Sequence, residues 1–139
     1  MKRIAKAHWN GTLQEGKGEI STQSTVLNQT QYSFKTRFAD GIGTNPEELI
    51  AAAHAGCFSM ALSATLAHHN IIAGDIFTTA IVDLDMQALA ITGIHLDLKA
   101  SVIEGVDEPT FNEIAEGAKA HCIISKALNV PITLNVVYA

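Results

Sequence analysis

At 139 residues and a formal net charge of −5, the chain has the length of one domain, and it carries no basic cluster, which argues against nucleic acid or an anionic membrane as partner. Aromatic residues are only 6%, too few for base-stacking platforms. A chain of this length buries about two-thirds of its unfolded surface without needing a disulfide; no signal peptide and no apolar run of about 18 residues is read in it, so a single soluble cytoplasmic domain over residues 1–139 is expected.

The first 40 residues predict short strands punctuated by Gly-rich turns at Asn10-Gly11 and Gly16-Lys17-Gly18. Tyr32, Phe34, Thr36 and Phe38 alternate with Ser33, Lys35 and Arg37, which predicts a half-buried strand with Arg37 on its polar face. Thr44-Asn45-Pro46-Glu47-Glu48 reads as a helix start. Asn45 suits the N-cap and Pro46 the first helical position, and Glu48 completes a capping box. From Leu49 to Ala67 the helix is apolar nearly all round, broken mainly by His54, Ser59, Ser63 and Thr65. Such a helix belongs in a core or an interface. Its many Ala and Gly residues admit close approach of another backbone, and His68-His69-Asn70 suit its C-terminus.

Two strands are predicted next. In Ile76–Met86 the even positions Ile76, Ala80, Val82, Leu84 and Met86 are apolar; in Ile94–Val102, Ile94, Leu96, Leu98, Ala100 and Val102 alternate with His95, Asp97, Lys99 and Ser101. Pro109 opens a second helix whose stripe, Phe111, Ile114, Ala115, Ala118 and Cys122, turns Cys122 inward. Asn129-Val130-Pro131 ends it, and Ile132, Leu134, Val136 and Tyr138 make a last strand. Strands, helix, strands, helix, strand is an α+β order.

The only cysteines, Cys57 and Cys122, lie far apart in sequence, each in apolar company. They read as core filler, structural bridge or redox couple. Free Cys is often buried, so filler is the plain reading of each alone. In a cytoplasm a bridge is transient and catalytic rather than structural. His54, one helical turn before Cys57, suits a base or a metal ligand, and more commonly a satisfied core residue. Cys57, His54 and the His68-His69 pair match no zinc spacing. Glu48 is explained by capping, Glu47 by the helix dipole, and Arg37 as a solvated strand residue. No phosphate-cradling loop or Ser-His-Asp pattern is present.

Four segments carry a resemblance: Asn28-Gln29-Thr30-Gln31-Tyr32, Thr36-Arg37-Phe38, Gly43-Thr44-Asn45-Pro46-Glu47-Glu48-Leu49-Ile50, and Ala52-Ala53-His54-Ala55-Gly56-Cys57-Phe58-Ser59-Met60-Ala61-Leu62. They resemble the osmotically inducible protein C (OsmC) family, which is related to the organic hydroperoxide resistance proteins. The likeness runs nearly end to end. It implies an intertwined homodimer with antiparallel sheets wrapped around two central helices and sites at the subunit interface. It implies a thiol-dependent peroxidase for organic hydroperoxides, weaker on hydrogen peroxide, serving oxidative and osmotic stress defence. By motif position, Cys57 is then the peroxidatic and Cys122 the resolving cysteine of an intrachain disulfide, with Arg37 and Glu47 as the activating polar pair. The family often has Pro directly after the second cysteine. Here the run is Cys122-Ile123-Ile124-Ser125, so local helix geometry there is expected to differ.

The chemistry suits these residues. A thiol in an apolar core is a poor thiolate; an arginine beside it favours the anion, and a carboxylate holds the guanidinium. Phe58, Met60, Leu62 and Ile124 are expected to make an apolar pocket. No metal, haem or flavin cofactor is called for, only an external dithiol reductant, and no nucleic acid or membrane partner. Other readings stay open: a different cysteine enzyme with His54 as base, a binding module for an apolar ligand, or a structural stress protein.

Overall fold

The computed structural model describes residues 1–139. The chain falls into two compact units, Met1–Leu49 and Ile50–Ala139.

In the first unit, β1 (Ala5–Asn10), β2 (Lys17–Thr22) and β3 (Thr30–Tyr32) form an antiparallel sheet in that order. Gly16-Lys17-Gly18 is less a turn than expected, because β2 begins at Lys17. Gly18 lies where a Cβ would run into the rings of Tyr32 and Trp9, which approach to 5.4 Å. Its missing side chain is what lets the rings meet over the sheet.

The alternating run after Tyr32 is not a strand. Residues Phe34–Phe38 form a short helix, α1. Ser33 is its N-cap: the Ser33 hydroxyl accepts from the Thr36 N–H, and the Thr36 hydroxyl accepts from the Ser33 N–H, a reciprocal capping box. Two locally satisfied donors outweigh a period-two pattern only seven residues long. Gly43 (φ +125°) then turns the chain so that the Thr44 N–H reaches the Gln31 carbonyl, 2.9 Å away; a side chain at Gly43 would strike that carbonyl.

Helix α2 (Pro46–His68) starts in the first unit and continues through the second. Asn45 caps it: its Oδ1 accepts the Glu48 N–H at 2.8 Å. The other half of the expected capping box is altered, since Glu48 meets the Asn45 side-chain amide, not its backbone. At the far end Asn70 takes φ 59°. The Ile71 N–H bonds the Leu66 carbonyl and the Asn70 N–H bonds that of Ala67, a Schellman closure. A stretch long and apolar enough to cross a membrane does exist, contrary to expectation: 18 residues of α2 average a mean hydropathy of 1.6. One of its faces, with His54, Phe58, Leu62 and Leu66, is fully buried. Ala53, Gly56, Met60, Ala64 and Ala67 are exposed on the other.

In the second unit β4 (Ile76–Asp85) pairs antiparallel with β5 (Ala90–Ala100), and β6 (Ile132–Tyr138) joins β5 in parallel. The sheet is therefore mixed rather than antiparallel throughout. A parallel neighbour requires a crossover, supplied by α3 (Glu108–His121) and α4 (Ile123–Ala127). The expected inward positions hold: Ile94, Leu96, Leu98 and Ala100 of β5 are buried, with Phe111, Ile114, Ala115 and Ala118 of α3. Val102, read as strand, lies beyond β5 and is exposed. Phe111 stacks on Tyr138 at 4.1 Å, and the Tyr138 hydroxyl accepts from the Ile103 N–H at 2.7 Å. The second helix does not run on to Asn129. It breaks at Cys122 (φ −57°, ψ 126°), which ends α3 and opens α4.

Candidate active site

Two polar clusters carry the four residues singled out in the sequence, one within each unit.

In the first unit Arg37 meets Glu47. Arg37 Nη2 donates to Glu47 Oε1 at 2.8 Å, and Arg37 Nε donates to Oε1 and Oε2 at 3.1 and 3.3 Å. The carboxylate is nearly buried, while the guanidinium keeps 42% of its side-chain exposure. Local structure makes the pair. The Ser33 cap places Arg37 on α1, and the Asn45 side-chain amide donates to the Thr36 carbonyl at 3.0 Å. The residue that caps α2 thus also ties down α1. Arg37 is a helical residue clamped by a carboxylate rather than a strand residue, though it is solvent-exposed as the plain reading has it. A cavity of about 280 Å³ opens beside it, lined by Trp9, Leu13, Tyr32, Phe34, Arg37 and Phe38. Of the residues expected to make an apolar pocket, Phe58 and Leu62 are fully buried in the core and Met60 is 76% exposed.

In the second unit the two thiols come together. Cys57 Sγ on α2 lies 3.1 Å from Cys122 Sγ at the α3–α4 break, and both cysteines are free. Cys57 is partly exposed and Cys122 is 1% exposed. Burial pushes the Cys57 thiol up from its ordinary range. The Ile124 N–H draws it back, Cys122 raises it again, the Ile123 N–H lowers it, and the net direction is up. Burial acts the same way on Cys122. There the Ser125 N–H, the Cys57 thiol, the Ser125 hydroxyl and the Ile124 N–H outweigh it, and the net direction is down. The break in the helix is responsible: it turns the first N–H groups of α4 toward the sulfurs.

His54, read as a base, a metal ligand or more commonly a core residue, is fully buried in the core and meets Ser125, with Nε2 2.7 Å from Ser125 Oγ. Ser125 is the functional candidate missed in the sequence. Its spacing of three residues after Cys122 was visible, but nothing marked Cys122 as a helix start. No three His, Cys, Asp or Glu side chains converge where they could hold a metal ion. Two thiols at this distance can exchange a proton or close a disulfide, and a carboxylate-held guanidinium can bind an anion or a peroxide oxygen.

Comparison with known proteins bears on the family and the fold. The OsmC-like protein family matches residues 39–137. Over 132 residues the chain is 50% identical to Peroxiredoxin OsmC of Escherichia coli strain K12, covering 94% of the chain and 92% of that protein. It is 34% identical over 98 residues to an organic hydroperoxide resistance protein-like protein of Mycoplasma pneumoniae, covering 66% of the chain and 67% of that protein. Among solved structures, the organic hydroperoxide resistance protein OhrB of Bacillus subtilis superposes with a TM-score of 0.69 at 26% identity, covering 96% of this chain and 98% of that one.

Proposed function

We propose the reaction of this chain from one premise: the chain belongs to the OsmC family and is a peroxiredoxin-type thiol peroxidase. Its substrates are organic hydroperoxides, with hydrogen peroxide poorer, and its oxidised form is an intrachain Cys57–Cys122 disulfide. The observation that carries this is the 3.1 Å approach of two reduced sulfurs from separate elements. The Cys57 thiolate attacks one peroxide oxygen, the O–O bond breaks, and the alcohol leaves with a proton. Cys57 becomes a sulfenic acid. Cys122 then attacks the Cys57 sulfur, forming the S–S bond and releasing water. An external dithiol reduces the bridge and is itself oxidised. Exposure supports this division of roles: Cys57 is partly exposed and Cys122 is 1% exposed.

The upward shift of Cys57 calls for a cation near it, and the held Arg37 guanidinium is the proposed source. Ten residues of helix separate Glu47 from Cys57, a rise of about 15 Å. Two antiparallel copies of α2 about a twofold axis would bring each helix start to the middle of its partner. We therefore infer a homodimer in which Arg37 and Glu47 of one chain complete the site of the other. The exposed small-residue face of α2 favours this packing. The cavity beside Arg37 would take the organic part of the peroxide. The reaction as written uses no metal, haem or flavin, and we place it in the cytoplasm, where dithiols are kept reduced.

The test is peroxide consumption with a dithiol. Cys57→Ser should abolish turnover. Cys122→Ser should consume about one equivalent and stall as a sulfenic acid open to over-oxidation. Rapid multiple turnovers by Cys122→Ser would remove the disulfide from the cycle, and full activity of Cys57→Ser would end the reading.

A further inference from the structure

Two polar side-chain contacts cross from α2 to the segment that begins at the α3–α4 break, and they lie side by side. Cys57 Sγ stands 3.1 Å from Cys122 Sγ. One turn earlier on α2, a hydrogen bond of 2.7 Å joins His54 Nε2 and Ser125 Oγ. His54 precedes Cys57 by three residues and Ser125 follows Cys122 by three, so the contacts are adjacent rungs, about 4.5 Å apart along each helix. The Lys126 N–H donates to the Cys122 carbonyl at 3.0 Å, closing the turn that holds Ser125 in register with Cys122. Little else fastens α4. It has five residues, none of them buried, and a helix that short is not stable by itself. Ile124 and, just beyond the helix, Leu128 pack against the core, while Ile123 is exposed. The bond to His54 is the one side-chain hydrogen bond that α4 makes to another element. On its side His54 is fully buried, and its Nδ1 has no partner. An apolar side chain would fill that place without leaving a polar atom unsatisfied. Filling space therefore does not account for the ring; its bond to Ser125 does.

We propose that His54 and Ser125 are positioning residues for disulfide closure: their hydrogen bond is a rung that holds α4 on α2 in the register that keeps Cys122 against Cys57. The rung raises the effective concentration of one sulfur at the other. The inference rests on the reading that Cys57 and Cys122 form the disulfide of the cycle. Once the S–S bond exists it holds α4 by itself. Before that, in the reduced chain and in the sulfenic acid, the rung is the polar constraint on α4. Its loss therefore gives freedom to the open states and little to the closed one, and closure becomes slower and less favourable. The bond changes are those of the cycle: the Cys122 thiolate attacks Cys57 Sγ, the S–S bond forms, the S–O bond breaks, and hydroxide leaves to take up a proton as water.

The test needs no peroxide. The protein is equilibrated with mixtures of reduced and oxidised glutathione. Two electrons and two protons pass from the Cys57 and Cys122 thiols to the glutathione disulfide, giving the protein disulfide and two reduced glutathiones. Acid quenching, alkylation and mass measurement then count the bridged chains. Ser125→Ala and His54→Leu should each lower the equilibrium constant for bridging by about threefold to tenfold, the range of one net hydrogen bond. The double variant should fall no further than the larger single loss, because both changes remove the same bond. Ser125→Thr keeps the hydroxyl, and His54→Gln keeps a donor and an acceptor at this place; both should stay near the parent. A purely structural role would weaken the reduced and the oxidised protein alike and leave the constant where it is. An unmoved constant in Ser125→Ala thus overturns the rung, and additive losses in the double variant overturn it by showing that the two residues act separately. Ser125 is partly exposed, so Ser125→Ala set against Ser125→Thr decides the question even where His54→Leu does not fold. A parent that forms no Cys57–Cys122 bridge at any glutathione ratio overturns the rung together with the disulfide reading. Variants that shift as expected in a protein that consumes no peroxide would count against the peroxidase reading and leave the rung standing.

Discussion

Cys57 and Cys122 share one small volume yet titrate in opposite directions, because backbone and side-chain donors gather on one sulfur more than on the other. His54 shows a related effect on stability. Its folded pKa lies below the ordinary 6.5, with burial as the cause. Between those two values the unfolded chain binds the proton and the folded chain does not, so stability rises with pH there. The contribution is present above about pH 6.5 and is lost as pH falls toward the folded value, with a slope of at most about 1.4 kcal/mol per pH unit. Urea unfolding midpoints should drop on acidification through this window, and His54→Gln should flatten that part of the profile. A parent profile with the same slope as His54→Gln would show that His54 is not the group responsible.

At the scale of elements, the break between α3 and α4 has the most chemical consequence. It makes Ile123 the first residue of α4, 72% exposed, with its N–H directed to the Cys57 sulfur. A proline there fits the helix start but removes that donor. Ile123→Pro should therefore fold, with helix content unchanged by circular dichroism, while the Cys57 thiol rises further. The rate of Cys57 alkylation at neutral pH should fall about twofold to fivefold, the scale of one weak neutral hydrogen bond. An equal or faster rate would show that the Ile123 N–H does not serve Cys57.

At the scale of the molecule, α2 exposes a face of small and apolar residues, and Phe77, Ile81 and Val137 on the second sheet are also exposed. Isolated exposed apolar residues are ordinary; the uncovered face of α2 is the surface the proposed dimer would use. For the proposed dimer, Cys57→Ser chains co-refolded with Glu47→Ala chains give about half mixed dimers, each with one intact site. Activity should recover to roughly a quarter of the parent's. No recovery, with mixed dimers confirmed by mass, would place Glu47 and Cys57 in the same chain's site. The midpoint of thermal unfolding should also rise with protein concentration, since a dimer is stabilised by mass action.

Much of this was legible in the residues. The strands at 76–85 and 132–138, the buried stripe Phe111, Ile114, Ala115 and Ala118, and the Asn45-Pro46 start of α2 all follow from periodicity and capping chemistry, which act over a few residues. The thiol pair and the Arg37–Glu47 pair were marked by motif. Tertiary structure decided what local pattern could not. Ser33 and Thr36 form a cap whose residue types are too common to stand out, so α1 was hidden under an apparent alternation. The break at Cys122 carries no Gly or Pro, so only packing of α3 and α4 against the sheet reveals it. The meeting of His54 with Ser125 joins positions 71 residues apart. Such a contact is set by how helices dock over a shared core, a long-range free energy that no local spacing encodes.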